Sequence, residues 1–269
     1  MCRLHNRRSC IAQGAIVPRC AVRTIRRWNA MMAILRPRDD RENAMTLING
    51  ANATPLDRKR GVEDPLRVYL VRHGETPWSL TGQHTGKTDI SLTPHGEEQS
   101  RALASVLDAI AFDHVLTSPA VRARQTCELA GFAGQAIVAA DFAEWDYGEY
   151  EGRRTIDIRK DQPGWNVFQD GSPGGESVRT VTARADRASA SLRALSGTVL
   201  VFSHGQFGCS LAARWIGLPI VEAQHFAIDP ASISVLGFNP AHPELAVIAH
   251  WNHVPAMMAD EARRVRVGA

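Results

Sequence analysis

Short apolar runs alternate with longer amphipathic stretches along the chain from residue 66 onward. Runs rich in β-branched and other apolar residues predict strands at 66–71, 113–118, 135–140, 198–203, 231–238 and 245–250. Apolar positions at helical spacing predict helices at 94–111, 119–129, 176–195 and 206–217. Such alternation predicts the α/β class, built as a three-layer α/β/α sandwich around a mostly parallel central sheet.

Two regions depart from this alternation. The turn clusters "DQPG" at 161–164 and "DGSPGG" at 170–175 predict a loop-rich stretch before the helix at 176. Residues 1–38 contain nine arginines and no acidic residue. We therefore expect three parts: an Arg-rich, disordered leader over 1–62, one folded domain over 63–255 and a C-terminal tail over 256–269.

The leader changes the interpretation of the net charge. The whole chain carries +3, but without the nine arginines of the leader 22 basic and 28 acidic residues remain, a charge of −6. The body is therefore not expected to bind nucleic acid.

The leader has the composition of a mitochondrial presequence but no sustained amphipathic pattern, and Met45 is an alternative natural start. Its longest apolar run is "AMMAIL", so neither a secretory signal nor a membrane span is predicted.

Cysteine usage favours a reducing compartment. Of the five cysteines, Cys127 and Cys209 lie outside the leader, and no CxxC spacing occurs. This pattern provides no disulfide framework and favours a cytoplasmic location. His250 and His253 in "HWNH" have the spacing of metal ligands but no acidic or cysteine partner nearby, so no metal site and no cofactor are predicted.

Chemically distinctive residues follow two of the predicted strands. The strand at 66–71 ends in Arg72, His73 and Gly74, and the strand at 198–203 ends in His204 and Gly205. Because ligands of open parallel sheets bind outside the carboxyl ends of the strands, we expect these residues to converge at one edge. The glycines are expected to let the backbone approach a ligand closely.

A bound anion would offset the repulsion among these arginine and histidine side chains. Arg122, one turn into the helix after the predicted strand at 113–118, adds a second guanidinium to the predicted edge. Guanidiniums bind phosphate bidentately and helix N-termini add N–H donors, so the inferred ligand is a phosphoryl group. A neutral imidazole is a competent nucleophile towards phosphorus. The leaving oxygen needs a proton donor, and Glu144, just past the predicted strand at 135–140, is the candidate.

Four motifs in this chain resemble one protein family. In order and spacing, "LVRHGET", "SPAVRARQT", "AEWDYGEYEG" and "FSHG" resemble the histidine phosphatase superfamily, over residues 66 to about 253. The resemblance implies a phosphoglycerate mutase-like fold and a histidine phosphatase domain at 63–255. It further implies that His73 becomes phosphorylated and that Glu144 is the acid–base group. Arg72, Arg122 and His204 then form the phosphate pocket.

The resemblance also implies substrate contacts outside this pocket. The stretch "TPWSLTGQHTGKTD" fits the family without a gap, so Thr85 and Gly86 resemble a substrate-side loop. Tyr147, three residues after Glu144, resembles a further substrate contact.

Three positions separate this chain from one branch of the family. Cofactor-dependent mutases carry Asn at the position of Ser79 and an Arg-His pair at the positions of Trp145 and Asp146. The pattern here is closer to the broad-specificity acid phosphatases and the sugar-bisphosphatase members. Hydrolysis is therefore favoured over mutase action.

Together, these features predict a metal-independent phosphomonoesterase that acts on small phosphorylated metabolites through a phosphohistidine. Two alternatives stay open. One is a cofactor-dependent phosphoglycerate mutase or phosphotransferase that uses the same phosphohistidine, and the other is a regulator that binds phosphorylated ligands without turnover. The expected partner is a small-molecule phosphate ester, with no nucleic acid and no membrane. The resemblance also implies that the chain can form a homodimer.

Overall fold

Residues 65–255 are described by the computed structural model of this chain. The predicted leader at 1–62 and the predicted tail at 256–269 lie outside the described residues, so these two parts and the boundary at 63 stay predictions. None of the helices between 65 and 255 is long and apolar enough to span a membrane.

Six strands within this range form one sheet. They are β1 (Arg67–Arg72), β2 (His114–Thr117), β3 (Ala136–Val138), β4 (Thr198–Ser203), β5 (Ile233–Asn239) and β6 (His242–His253). Their order across the sheet is β3-β2-β4-β1-β5-β6. The first four of these are parallel, whereas β5 is antiparallel to both β1 and β6. The prediction of a mostly parallel sheet is confirmed, with an antiparallel pair added at one edge.

Helices connect the strands of this sheet. The α-helices in the described range are α1 (Pro77–Thr81), α2 (Pro94–Leu107), α3 (Val121–Leu129), α4 (Thr155–Asp161), α5 (Val167–Asp170), α6 (Val178–Arg193) and α7 (Gly205–Trp215). Short 3₁₀-helices lie at Ala140–Phe142, Gly148–Tyr150 and Ile220–His225.

Successive residues of a strand point to opposite faces of the sheet, and helices cover both faces here. Val68 and Leu70 of β1 belong to one hydrophobic cluster, together with Val181 of α6 and Leu211 of α7. Val71 of β1 belongs to a second cluster, which includes apolar side chains of α2 and α3. Helices α6 and α7 therefore cover one face, and α2 and α3 cover the other. This is the predicted three-layer sandwich.

Strands β1 and β4 end side by side. The two strands are neighbours, with Arg72 paired opposite Ser203. The chain leaves β1 towards α2 on one face and leaves β4 into α7 on the other. In open parallel sheets, ligands bind at such a point, outside the carboxyl ends of the strands. His73 and His204 are the first residues beyond these two ends.

Some elements differ from the sequence prediction. The stretch up to 175 that was predicted to be loop-rich contains α4 and α5, and α1 is a further helix that the pattern does not predict. These three helices have four to seven residues, which is too short to display a helical repeat of apolar positions. Helix α6 begins at Val178 and not at 176, because the hydroxyl of Ser177 accepts the N–H of Thr180 at 3.1 Å as an N-cap.

Candidate active site

His73 lies directly after β1 and is only 4% exposed. Its backbone N–H donates to the carbonyl of Ser203 on β4 at 3.0 Å, which continues the strand pairing by one residue. Its Nδ1 lies 2.7 Å from the carbonyl oxygen of Gly74. A carbonyl oxygen only accepts, so Nδ1 carries the proton, and the lone pair of the neutral ring is on Nε2.

The surroundings of His73 keep this ring neutral. Burial lowers the pKa of His73 well below its usual value of 6.5, and the positive charges of Arg122 and Arg72 lower it further. The hydrogen bond to the carbonyl of Gly74 acts in the opposite direction but is the smallest of these effects. The imidazole is therefore an unprotonated base at neutral pH, which is the form that can act as a nucleophile.

Gly74 is a glycine for a reason other than the predicted one. A Cβ at this position would lie 2.4 Å from the carbonyl oxygen of Gly96 on α2, so only glycine allows the backbone after His73 to pack against that helix. For Gly205, the predicted close approach of a ligand stays a prediction. A Cβ there would point towards Arg72 Nε at 3.4 Å and towards Glu144 Oε2 at 3.8 Å.

The two predicted arginines are anchored by backbone carbonyls. Arg72 Nη1 donates to the carbonyl of Ile228 at 2.6 Å. Arg122 is fully buried and donates to the carbonyls of Thr85 and Gly86 from Nη2, each at 3.0 Å, and to that of Thr88 from Nη1 at 3.2 Å. In both side chains the buried Nε has no hydrogen-bond partner in the part of the chain that the structure describes. Burial lowers the pKa of each guanidinium, and the charge of Glu144 partly offsets this.

Thr85 and Gly86 therefore contact the site through Arg122. Their carbonyls hold the guanidinium, and the backbone N–H of Gly86 donates to Glu151 Oε1 at 2.8 Å. A Cβ on Gly86 would lie 2.3 Å from the carbonyl oxygen of Trp145, which explains the glycine. Glu151 also accepts the backbone N–H of Lys87 at 3.0 Å, so its carboxylate is committed to this loop.

His204 is positioned by a serine that the sequence analysis does not identify as a site residue. The ring Nε2 of His204 lies 2.6 Å from the hydroxyl of Ser118, which follows β2. The same hydroxyl oxygen accepts the N–H of Ala120 at 3.3 Å, so its proton is free to bond to Nε2. In that arrangement the neutral His204 ring carries its proton on Nδ1, which is buried and has no partner. The rings of His73 and His204 are 5.2 Å apart.

Glu144 is held by the N-terminus of α7. Its Oε1 accepts the backbone N–H of Phe207 at 2.7 Å and that of Trp145 at 2.9 Å, and its Oε2 accepts the N–H of Gln206 at 3.1 Å. A carboxylate at this place satisfies N–H groups that have no partner inside the helix. Glu144 is only 8% exposed and lies close enough to both predicted arginines to raise their pKa.

A buried ion pair supports the segment that carries Glu144. Arg184 of α6 contacts both carboxylate oxygens of Glu176, at 2.9 and 2.6 Å. It also donates to the carbonyls of Asp141 at 3.0 Å, Ala143 at 2.7 Å and Glu144 at 3.2 Å. The sequence reasoning treated Glu176 mainly as a residue at a helix start and missed Arg184, because no local pattern relates an arginine within a helix to carbonyls about 40 residues away.

Tyr147 is fully buried, and its hydroxyl has no hydrogen-bond partner among residues 65–255. Its ring stacks on His84 with 4.5 Å between the centroids. Burial raises the pKa of Tyr147 well above 10, with Glu144 adding to the effect and Arg72 opposing it. The phenol therefore keeps its proton and can donate a hydrogen bond.

Most of the buried polar atoms that lack a partner belong to these residues. Within the described residues, four such atoms belong to predicted site residues: Arg72 Nε, Arg122 Nε, His204 Nδ1 and the hydroxyl of Tyr147. A cavity of about 390 Å³ lies beside Glu144 and is also lined by Gly86, whose carbonyl accepts a hydrogen bond from Arg122. Between residues 65 and 255, no group of three or more His, Cys, Asp or Glu side chains is placed to hold a metal ion.

Comparison with known proteins agrees with this geometry. Residues 68–251 match the family described as histidine phosphatase superfamily (branch 1). The acid phosphatase of Mycobacterium tuberculosis (strain ATCC 25618 / H37Rv) is 41% identical over 191 residues, which cover 70% of this chain and 94% of that protein. The sedoheptulose 1,7-bisphosphatase of Saccharomyces cerevisiae (strain ATCC 204508 / S288c) is 36% identical over 187 residues, which cover 57% of this chain and 69% of that protein.

A solved structure is similar as well. The structure of an open reading frame product from Mycobacterium tuberculosis is 42% identical to this chain with a TM-score of 0.64, and the match covers 70% of this chain and 98% of that one. The resemblance inferred from the four sequence motifs is thus confirmed. So is its closeness to acid phosphatases and sugar bisphosphatases.

Proposed function

The chain belongs to the histidine phosphatase superfamily and is a phosphatase, and from this premise we propose that it hydrolyses small phosphate monoesters through a phosphohistidine on His73, without a metal ion. One observation carries the proposal. The neutral His73 ring has its lone pair on Nε2, and buried donors without partners lie close to it. A phosphoryl group has three oxygens that accept such donors while its phosphorus faces the nucleophile.

In the first step, His73 Nε2 attacks phosphorus in line with the leaving oxygen. The N–P bond forms as the P–O bond breaks, and the leaving oxygen takes a proton from Glu144 and departs as an alcohol. Arg72, Arg122 and His204 hold the charge on the phosphoryl oxygens throughout. This charge stabilisation supplies most of the barrier reduction in phosphoryl transfer.

In the second step, Glu144 acts as a carboxylate and takes a proton from water. The water oxygen attacks phosphorus, the N–P bond breaks, and its electron pair returns to Nε2 as inorganic phosphate leaves. The hydrogen bonds of Glu144 support a division between its oxygens. Oε1 accepts two bonds of 2.7 and 2.9 Å, whereas Oε2 accepts a single bond of 3.1 Å and is the oxygen that carries the proton.

Further expectations belong to this proposal. The substrate is a small-molecule phosphate ester, with no role for nucleic acid or for a membrane. A cytoplasmic location fits the two cysteines at 127 and 209, which are free and buried. Formation of a homodimer also stays a prediction.

The proposal is tested by the hydrolysis of p-nitrophenyl phosphate after treatment with EDTA. Wild-type protein is expected to turn over, and His73→Ala is expected to lose at least roughly 10³-fold in kcat because the nucleophile is gone. Arg124→Ala is the matched control, since Arg124 lies on the same helix as the buried Arg122 but is exposed and is not part of the proposed site. Equal turnover by wild type and His73→Ala would contradict the mechanism, and loss of wild-type activity that divalent metal restores would contradict metal independence.

A rapid acid- or alkali-quench experiment distinguishes the two alternatives. The wild-type enzyme should trap a phosphoryl label that is stable in alkali and labile in acid, as expected for a phosphohistidine. A label that passes to a second hydroxyl in place of water would show a mutase or phosphotransferase. Binding of phosphate with neither label nor turnover would show a regulator.

A further inference from the structure

The cavity beside Glu144 has an unusual set of charges for a site that accepts an anionic substrate. Its lining includes four acidic and two basic side chains, namely Asp89, Glu144, Asp146, Glu176, Lys87 and Arg184. Glu144, the proposed proton donor, lies in the wall of this cavity, so we expect the part of the substrate that leaves with the ester oxygen to enter it. The charges of the cavity therefore act on the leaving group.

Both basic side chains of this cavity are already paired. Lys87 Nζ lies 2.6 Å from Asp146 Oδ2. Arg184 is bound to both oxygens of Glu176, as described above. Neither cation can bind a second anionic group of a substrate unless the ion pair with its carboxylate partner breaks.

Asp146 holds Lys87 in a defined direction. The side chain of Lys87 is 79% exposed, whereas that of Asp146 is only 15% exposed, so an outer ammonium group is drawn onto an inner carboxylate. The other oxygen of Asp146 accepts the backbone N–H of Gly148 at 3.1 Å, which fixes the orientation of the carboxylate. The pKa of Lys87 is raised, first by this hydrogen bond to Asp146 and further by the charges of Asp146, Glu176 and Glu151.

We propose that Asp146 determines leaving-group specificity by sequestering Lys87, so that the cavity favours uncharged, hydroxyl-bearing leaving groups over those that carry a carboxylate or a second phosphate. This inference rests on the proposed function. Hydroxyl groups donate to carboxylates and accept from the ammonium, so they fit a paired and acid-rich wall. An added carboxylate meets carboxylates on several sides and has no unpaired cation to bind.

The test compares two substrates that differ in a single group. Glycerol 3-phosphate and 3-phosphoglycerate share the three-carbon skeleton, and a hydroxymethyl group in the first replaces the carboxylate of the second. At constant ionic strength, wild type is expected to show a kcat/KM at least about tenfold higher for glycerol 3-phosphate, since an unpaired buried anion forfeits charge-assisted bonds of that order.

Asp146→Asn is expected to free Lys87, because an amide NH₂ replaces the carboxylate oxygen that faces Nζ. The kcat/KM for 3-phosphoglycerate relative to glycerol 3-phosphate should rise about tenfold. Adding Lys87→Met in the same chain should remove that gain. Asp89→Asn is the matched control, because it takes one negative charge from the same cavity without touching the Lys87 pair, and its ratio is expected to change less than about threefold.

The outcomes separate this inference from the proposed function. Wild type that turns over p-nitrophenyl phosphate but prefers 3-phosphoglycerate to glycerol 3-phosphate would contradict the specificity role of Asp146. So would equal shifts by Asp146→Asn and Asp89→Asn in the ratio of kcat/KM for these two substrates. In both cases the phosphatase mechanism stands. If wild type turns over none of these esters, the proposed function fails and takes this inference with it.

Discussion

At His73, three neighbours act on one imidazole in different ways. The carbonyl of Gly74 fixes the proton on Nδ1 at 2.7 Å, which directs the lone pair of Nε2 away from the backbone. Burial and the charges of Arg122 and Arg72 lower the pKa, which keeps that lone pair unprotonated. A residue type that is half protonated near neutral pH elsewhere is thereby kept in one form.

Glu144 is the second residue whose chemistry is set by its neighbours. Glu144→Gln retains an acceptor for the N–H groups of Trp145 and Phe207 but cannot give a proton. We expect kcat/KM for an alkyl phosphate such as glycerol 3-phosphate to fall by roughly 10²–10³-fold. The fall for p-nitrophenyl phosphate should be less than about tenfold, because nitrophenolate leaves without protonation.

The measurement for this prediction is kcat/KM, which reports the steps up to formation of the phosphoenzyme. Hydrolysis of the phosphoenzyme also needs Glu144, so kcat alone would not separate the substrates. Equal losses for both esters would contradict the assignment of Glu144 as the proton donor.

At the scale of elements, helices α6 and α7 bring the site together from one face of the sheet. Helix α7 begins at Gly205, directly after His204, and its free N–H groups bind Glu144. Helix α6 contributes Arg184, which lies 4.2 Å above the ring of Phe207 and bonds to the carbonyls before and at Glu144. The position of Glu144 therefore depends on the packing between the two helices.

Arg184→Met tests this dependence. The change leaves the largely buried carboxylate of Glu176 without its partner, and urea denaturation is expected to show a fall of about 3 kcal/mol in the free energy of unfolding. Arg187→Met is the matched control on the same helix, because Arg187 is exposed and pairs with Asp141 at 3.0 Å. Arg187→Met should lower the free energy of unfolding by less than about 0.5 kcal/mol.

Kinetics separate positioning from stability in this variant. If Arg184 positions Glu144, folded Arg184→Met should lose more kcat/KM for glycerol 3-phosphate than for p-nitrophenyl phosphate, as Glu144→Gln does. A uniform loss for both substrates would leave Arg184 with a structural role only.

At the scale of the whole molecule, several partly or fully buried histidines make stability depend on pH. His73 and His204 are buried, and burial lowers the pKa of both well below 6.5. Burial also lowers the pKa of His84 to about 4. The unfolded chain binds these protons at a pKa of about 6.5. Folding stability is therefore fully present above that pH and is lost as pH falls towards the folded-state values.

His84→Gln measures one share of this effect. A folded-state pKa of about 4 against an unfolded value near 6.5 corresponds to a loss on the order of 3 kcal/mol between pH 7 and pH 4. Urea unfolding at a series of pH values should show that His84→Gln lacks this part of the decline. The exposed His225→Gln is the control, with the wild-type decline retained. A decline in His84→Gln that equals that of wild type would contradict the assignment.

The fold follows largely from patterns within single segments. Residues 66–71 and 198–203 are apolar runs followed by His and Gly, and both form strands that end near those residues. Segments of 14 and 16 residues such as α2 and α6 show enough apolar repeats to be predicted, whereas α4 and α5 do not. Turn residues dominate the sequence around those short helices, which hid them.

The sequence by itself determined which residues can meet at the site. Arg72, His73 and His204 stand at or directly after strand ends, Arg122 lies in the first turn of the helix after β2, and the carboxyl ends of parallel strands share one edge of a sheet. The need for a proton donor pointed to Glu144, and the family resemblance added Thr85, Gly86 and Tyr147. A local pattern and a general rule of parallel sheets sufficed for this much.

Only the tertiary structure decided how these residues act on one another. The bond from Gln206 to Glu144 joins residues 62 positions apart, and the bonds from Arg122 to the loop at 85–88 span 34 to 37 positions. The Lys87–Asp146 pair likewise joins two separate loops. Tautomers, pKa shifts and ion pairs depend on distances of a few ångströms between distant segments. Such distances are set by the packing of helices on the sheet, which no local pattern of residues encodes.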